Sequence, residues 1–310
     1  MVVVITEEEG VEFHDLPEGC IENVLSFTTP RDVARLSLVS STFRSAAESD
    51  SVWDKFLPSD YHSIISKSDA EIDNSLSVLP KKDLYVNLTQ KPLLIENGKK
   101  SFQLDKVDGK KCYMLSARSL FIVWGDTPRY WRWIPDPDSR FPEAAELVSV
   151  CWFEIRGWIS TIMLSPKTLY GAYLVFKSSA AGAFGFEYQP CEASIDIVGG
   201  DTVERNVFLD AGRGRRLRYQ IVPRSRTTGI LTRLRSPVEA PVEPTESVAD
   251  LRKYPKERAD GWLEMELGEF FNEGGDDKQV DIGVCEVKGG GWKGGLVVQG
   301  IEIRPKTKSC

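Results

Sequence analysis

The sequence predicts an α+β multidomain chain: a small all-α unit followed by a larger all-β antiparallel sandwich. Three observations carry this. At 310 residues the chain has room for about two domains. Apolar residues between 14 and 57 recur with helical period. From about residue 106, short runs rich in Val, Ile, Tyr, Phe and Trp alternate with turn residues, the pattern of many short strands.

The helical unit spans residues 14–58. In "DLPEGCIENVLSF", Pro17 takes the first helical turn, where its missing N–H costs nothing. Cys20, Ile21, Val24 and Leu25 then form a stripe along one helix face. "TTPRDVARLSLV" restarts with Thr29 as N-cap and Pro30 at the first helical position, and "SSTFRSAAES" and "SDSVWDKFL" add two short helical pieces. A unit of about 45 residues is near the lower limit for an independent core. Yet it carries Leu16, Ile21, Val24, Leu25, Leu36, Leu38, Val39, Phe43, Val52, Trp53 and Phe56, more apolar surface than three short helices hide. The surplus either packs on the rest of the chain or docks on a partner.

The stretch "LPEGCIENVLSFTTPRDVARLSLVSSTFRSAAESDSVWDKFLP" resembles an F-box. The matching features are Leu16-Pro17, the aliphatic pairs Cys20/Ile21 and Val24/Leu25, the turn from Pro30 to Asp32, Val39 with Phe43 four residues on, and the closing Trp53. Most F-boxes have Trp at the position of Phe43. The resemblance implies binding to a Skp-type linker, and through it to cullin and RING subunits of a ubiquitin ligase. Leu16, Pro17, Ile21, Val24, Leu25, Val39, Phe43 and Trp53 are the expected linker-binding residues.

Residues 59–105 read as a helical connector broken at Pro80 and Pro92. The strands follow from 106 to 306, among them "SLFIVW", "LVSVCWFEI", "AYLVFK", "RYQIV", "VDIGVCEV" and "GLVVQGIEI". Residues 213–235 carry eight arginines and no acid, and 236–258 is a Pro- and Glu-rich stretch expected to be an exposed loop. In "SLFIVWGDTPRYWRW" a strand, a turn and a second strand leave both faces apolar. The rings are either all core, each burying about 150–250 Å², or partly exposed as a flat platform for a sugar.

Residues 111–176, with "RADGWLEMELGEFFNEGG" and "VCEVKGGGWKGGLVVQGIEIRP", resemble the phloem protein 2 lectins, the family that includes Nictaba. The resemblance implies a jelly-roll β-sandwich that binds N-acetylglucosamine-containing glycans without metal. It places carbohydrate contacts at Trp124 and Trp131, with Trp133 and Trp152 in the core. An acidic sugar ligand of the family matches Glu286. A second falls at Gln279, where lectin members have Glu; glutamine keeps hydrogen-bonding capacity but lacks the charge. That departure motivates an alternative, a sandwich that recognises a protein surface without carbohydrate.

Composition narrows the classes further. A net charge of −7 lacks the basic footprint of nucleic-acid binding. No apolar run approaches the roughly 20 residues of a membrane helix, and the N-terminal stretch has no secretory pattern; a cytoplasmic or nuclear protein is expected. Six scattered cysteines without a C-x-x-C pair suggest no metal site. The only histidines, His14 and His62, lie in the first fifth of the chain, which removes histidine-based catalysis from the sandwich. Glu264 and Glu266 alternate in "GWLEMEL" as on the solvated face of a strand. No catalytic residue and no cofactor are expected.

Overall fold

The computed structural model describes residues 16–200, 202–211 and 253–306. The Arg-rich stretch 213–235, the strand expected at "RYQIV" and residues 236–252 of the Pro- and Glu-rich segment lie outside the described residues.

Four short helices build the N-terminal unit: α1 Glu18–Ser26, α2 Pro30–Leu36, α3 Ser41–Glu48 and α4 Asp50–Phe56. Their starts are set by side chains. Thr29 Oγ1 accepts the Asp32 N–H at 3.2 Å with Pro30 at the first position, and Ser40 Oγ accepts the Phe43 N–H at 3.2 Å. Ile21, Leu25, Val33, Ala46, Ala47, Val52 and Trp53 are buried between them. The Trp53 indole N–H donates to the Ala47 carbonyl at 2.7 Å, so the ring is packed without an orphaned donor.

Three more helices follow: α5 Tyr61–Ile65, α6 Ala70–Ser77 and α7 Lys81–Gln90. The expected connector does not run in helix to 105. Leu93–Ile95 (β1) and Lys100–Leu104 (β2) form an antiparallel hairpin. Its turn places Glu96, Asn97 and Gly98 at φ of 54°, 57° and 74°. An Asn-Gly pair tolerates that left-handed backbone, which is why the hairpin forms there.

The remaining strands are β3 Lys111–Ser116, β4 Phe121–Ile122, β5 Trp131–Ile134, β6 Ala144–Leu147, β7 Phe153–Ser160, β8 Thr168–Ser178, β9 Cys191–Ile197, β10 Thr202–Val207, β11 Lys256–Glu257, β12 Leu263–Asn272, β13 Gln279–Glu286 and β14 Leu296–Pro305. One sheet has the order β1-β2-β3-β14-β8-β12-β11, with β6 also on β14 and β5 on β6. The other has the order β10-β9-β13-β7-β4. Every pairing is antiparallel. Phe153, Ile155, Ile159, Val280, Ile282 and Ile195 of the smaller sheet meet Leu115, Leu174, Phe176, Met265 and Ile301 of the larger.

The larger sheet is covered on its second face too. Met114, Val175 and Val297 pack beneath Phe141 and Trp262. The strap over them is held by Lys177 to Asp136 at 2.8 Å and by the Trp262 indole N–H to the Asp138 carbonyl at 3.0 Å. Burial on both faces explains why β8 is apolar at nearly every position while β7 alternates. Glu264 lies in salt bridges with Arg258 at 3.0 Å and Arg304 at 2.7 Å, and Glu266 with Arg205 at 2.9 Å and Lys306 at 3.1 Å.

Helices and sandwich share one apolar core. Tyr85 of α7 lies 5.3 Å from the Trp53 ring and 6.4 Å from Phe56. A Cβ at Gly109 would stand 2.9 Å from the Tyr85 hydroxyl, so that approach depends on glycine. Gln103 Nε2 donates to the Thr89 carbonyl at 2.9 Å, and buried Lys111 pairs with Asp60 at 3.0 Å.

Candidate functional site

The first three helices present apolar side chains to solvent. Phe27 and Leu38 are 83% and 78% exposed, Val39 66% and Val24 46%. Pro17 is also exposed, and Leu16 and Phe43 are half-buried. The other expected linker-binding residues are corrected by the structure: Ile21, Leu25 and Trp53 are at most 4% exposed. The stripe that is most apolar in sequence faces inward, because it is what holds α1 on α3 and α4. Phe27 and Leu38 escaped sequence reasoning because each follows the end of a helix, off any periodic stripe. Large apolar residues just past helix ends were the available signal.

At one end of the sandwich four connections converge, around residues 123–130, 148–152, 179–190 and 287–295. The Val148 N–H donates to the Tyr130 carbonyl at 2.8 Å. Val150 and Lys293 exchange both backbone hydrogen bonds at 2.9 Å, and Phe184 and Gly294 do so at 3.0 Å. Trp124, Trp152, Phe184, Tyr188 and Trp292 are exposed on these connections. Trp124 sits at φ 58°, in the left-handed region, with its ring 5.2 Å from Tyr130. A tryptophan there costs of order 1–3 kcal/mol, so the surrounding turn enforces the ring's presentation.

The structure separates the expected sugar contacts. Trp124 is exposed as the resemblance implies, but Trp131 is 2% exposed and stacked on Phe153. It pairs with Leu147 on β6, and that register turns its side chain into the core. Trp131→Phe is therefore expected to lower stability by about 1–3 kcal/mol in chemical denaturation, leaving the exposed rings unchanged. Trp133 is half-buried under the Arg118 guanidinium, 3.8 Å from its ring, and its indole N–H donates to the Gly125 carbonyl at 3.1 Å. Trp152, expected in the core, is exposed; its indole N–H donates to Glu154 at 3.1 Å, an anchor on the rim that keeps the ring outside.

Gln279 and Glu286 stand at the two ends of β13. Seven residues of strand separate them by about 23 Å, too far to share one sugar ring. Gln279 is exposed beside an open depression of about 450 Å³ lined by Lys100, Trp158, Ser160, Met163 and Asp277. Glu286 is buried, paired with Lys293, and accepts the Gly289 N–H at 2.8 Å. Lys293 in turn donates to the carbonyls of Cys151 at 3.0 Å and Gly291 at 2.9 Å. Burial pushes the Glu286 carboxyl up, but Lys293 and the backbone N–H groups of Gly289 and Lys288 outweigh it and hold it below the ordinary range. Glu286 thus clamps the glycine-rich connection that carries Trp292.

Residues 13–55 match the F-box domain and residues 110–305 match phloem protein 2. The chain belongs to the phloem protein 2-type F-box proteins. Among similar proteins of Arabidopsis thaliana, F-box protein PP2-B1 is 43% identical, with 98% of this chain and 93% of that protein covered. F-box protein PP2-B10 is 42% identical, with 96% of each chain covered. In this F-box protein the phloem protein 2 match begins after β2, so two strands of the larger sheet precede it. The pairing of the two domains supports the role of an SCF adaptor rather than that of an enzyme.

Proposed function

We propose that this F-box protein is the substrate-recognition subunit of an SCF-type cullin–RING ubiquitin ligase in the cytoplasm or nucleus. A Skp-type linker docks on the exposed face of the helical unit, and N-acetylglucosamine-containing glycans or glycoproteins dock on the aromatic end of the sandwich. The observation that carries the linker half is the solvent exposure of Val24, Phe27, Leu38 and Val39 beside a well-packed helical core. Isolated exposed apolar residues need no explanation, but four clustered on one small unit mark an interaction surface.

The glycan half is supported by Trp124 and Trp292, whose exposed rings suit the C–H face of a pyranose. It is tested by calorimetric titration with chitotriose. Trp124→Ala and Trp292→Ala are each expected to weaken binding about 10-fold or more, in the range of a lost aromatic stacking contact, with the melting temperature unchanged. Unaltered binding in both variants excludes the aromatic end.

A second reading has its own support: the sandwich recognises a protein surface without sugar. Trp131 is packed in the core and Glu286 is occupied by Lys293, so two of the four expected sugar contacts are committed elsewhere.

A further inference from the structure

The outer face of the five-stranded sheet is uncovered among the described residues, unlike the outer face of the larger sheet. Register sets out its side chains in rows across the strands. One row runs Trp158, Asp281, Asp196 and Thr202; the next runs Phe121, Arg156, Gly283, Ser194 and Glu204. Phe121 is 50% exposed and Trp158 38%, with ring centroids 6.4 Å apart. The rings thus stand on one side of the face and the carboxylates of Asp196 and Glu204 on the other. Gly283 and Ser194 form a low floor between them; a Cβ at Gly283 would already stand 3.0 Å from Ser194 Oγ.

Charge selects the occupant. Glu154, Glu192, Asp196, Glu204 and Asp281 bring five carboxylates to this side, against the two cations Arg156 and Lys288. The difference is three negative charges. Arg156 is engaged by Glu154 at 2.9 Å and lies 3.7 Å from Asp281, Lys288 pairs with Glu192, and the Trp158 indole N–H donates to Asp281 at 3.0 Å. The fixed groups at the centre of the face are therefore acceptors beside flat rings. A guanidinium or ammonium group meets both requirements: it stacks on the rings and pairs with the carboxylates. A neutral glycan gains nothing from the excess charge.

We propose that this face is a docking surface for a Lys/Arg-rich segment of a protein partner, its cations lying over Trp158 and Phe121 and reaching Asp196 and Glu204. From Phe121 to Glu204 the row crosses four strand spacings, about 19 Å, the span of roughly six extended residues. The proposal rests on the second reading above, recognition of a protein surface by the sandwich.

The test uses the full chain and a fluorescein-labelled twelve-residue peptide of alternating arginine and serine, followed by fluorescence anisotropy. Binding is expected to weaken about 10-fold between roughly 50 and 300 mM salt. Asp196→Lys/Glu204→Lys is expected to weaken it at least about 10-fold, and Trp158→Ala about 5-fold. These residues lie on the exposed side of the sheet, so the melting temperature and Skp-type linker binding stay at wild-type values. Equal peptide affinity in wild type and the charge-reversed variant overturns the proposal. Displacement of the peptide by chitotriose, or its loss in Trp292→Ala, also overturns it and assigns the binding to a glycan surface or to the aromatic end. Neither of these results bears on linker docking, which is read independently.

Discussion

A chain carrying Val24→Asp and Leu38→Asp is expected to keep its fold and lose its Skp-type linker. Both side chains are exposed in the free protein, so neither change opens a cavity. Each apolar side chain buried in a complex contributes about 1.5–3 kcal/mol, and a carboxylate in its place adds a desolvation penalty. Two such changes weaken the complex by at least about 100-fold, measurable by surface plasmon resonance with unchanged circular dichroism. Leu25→Ala separates surface from core. Leu25 is 0% exposed, and its truncation costs about 3–5 kcal/mol of stability, so linker binding falls together with the melting temperature. Wild-type affinity in the double aspartate variant would falsify docking on this face.

Lys293→Met is expected to destabilise the sandwich by about 3–5 kcal/mol, the cost of leaving one buried charge without its partner. Glu286 is then buried against an apolar side chain, and Lys293's bonds to Cys151 and Gly291 are also gone. Urea denaturation at pH 7 reads the loss. Glu286→Gln in the Lys293→Met background recovers part of it, because a neutral amide tolerates burial better than a carboxylate. The pH dependence has a definite sign. The Glu286 carboxyl is depressed in the folded protein, so its stabilisation is complete above its unfolded value near 4.5 and is lost as pH falls through the folded one. The gap between wild type and Lys293→Met is therefore full at neutral pH and closes in acid. A gap that persists unchanged at acid pH shows that packing, not charge, holds this connection.

Much of the architecture is legible in the sequence because it rests on local rules. Thr29-Pro30 starts α2 where capping chemistry puts it, and the change from helical to strand patterning separates α7 from the sheets. Asn97-Gly98 marks a hairpin by the same local logic, although the breaks at Pro80 and Pro92 suggest a helical connector around it. Sites were less legible, since a side chain's direction depends on partners far along the chain. Trp131 turns inward because β5 pairs with β6, and Trp152 outward because its N–H is held by Glu154. Glu286 looks like a free acid until Lys293, seven residues on, folds back onto it. The distance between Gln279 and Glu286 is readable only once both are known to lie on one unbroken strand.

The wedge of Tyr85 between Trp53 and the sheet, with Gly109 beneath it, has a mechanical consequence. A recruiter whose two ends were joined by a loose tether would sweep its cargo through a volume, and any lysine within reach could be modified. Here the two ends share one core and move as one piece. With a linker on the helical face, cargo on the sandwich hangs at one distance and one angle, so the lysines that meet the incoming ubiquitin are those on a single arc of its surface.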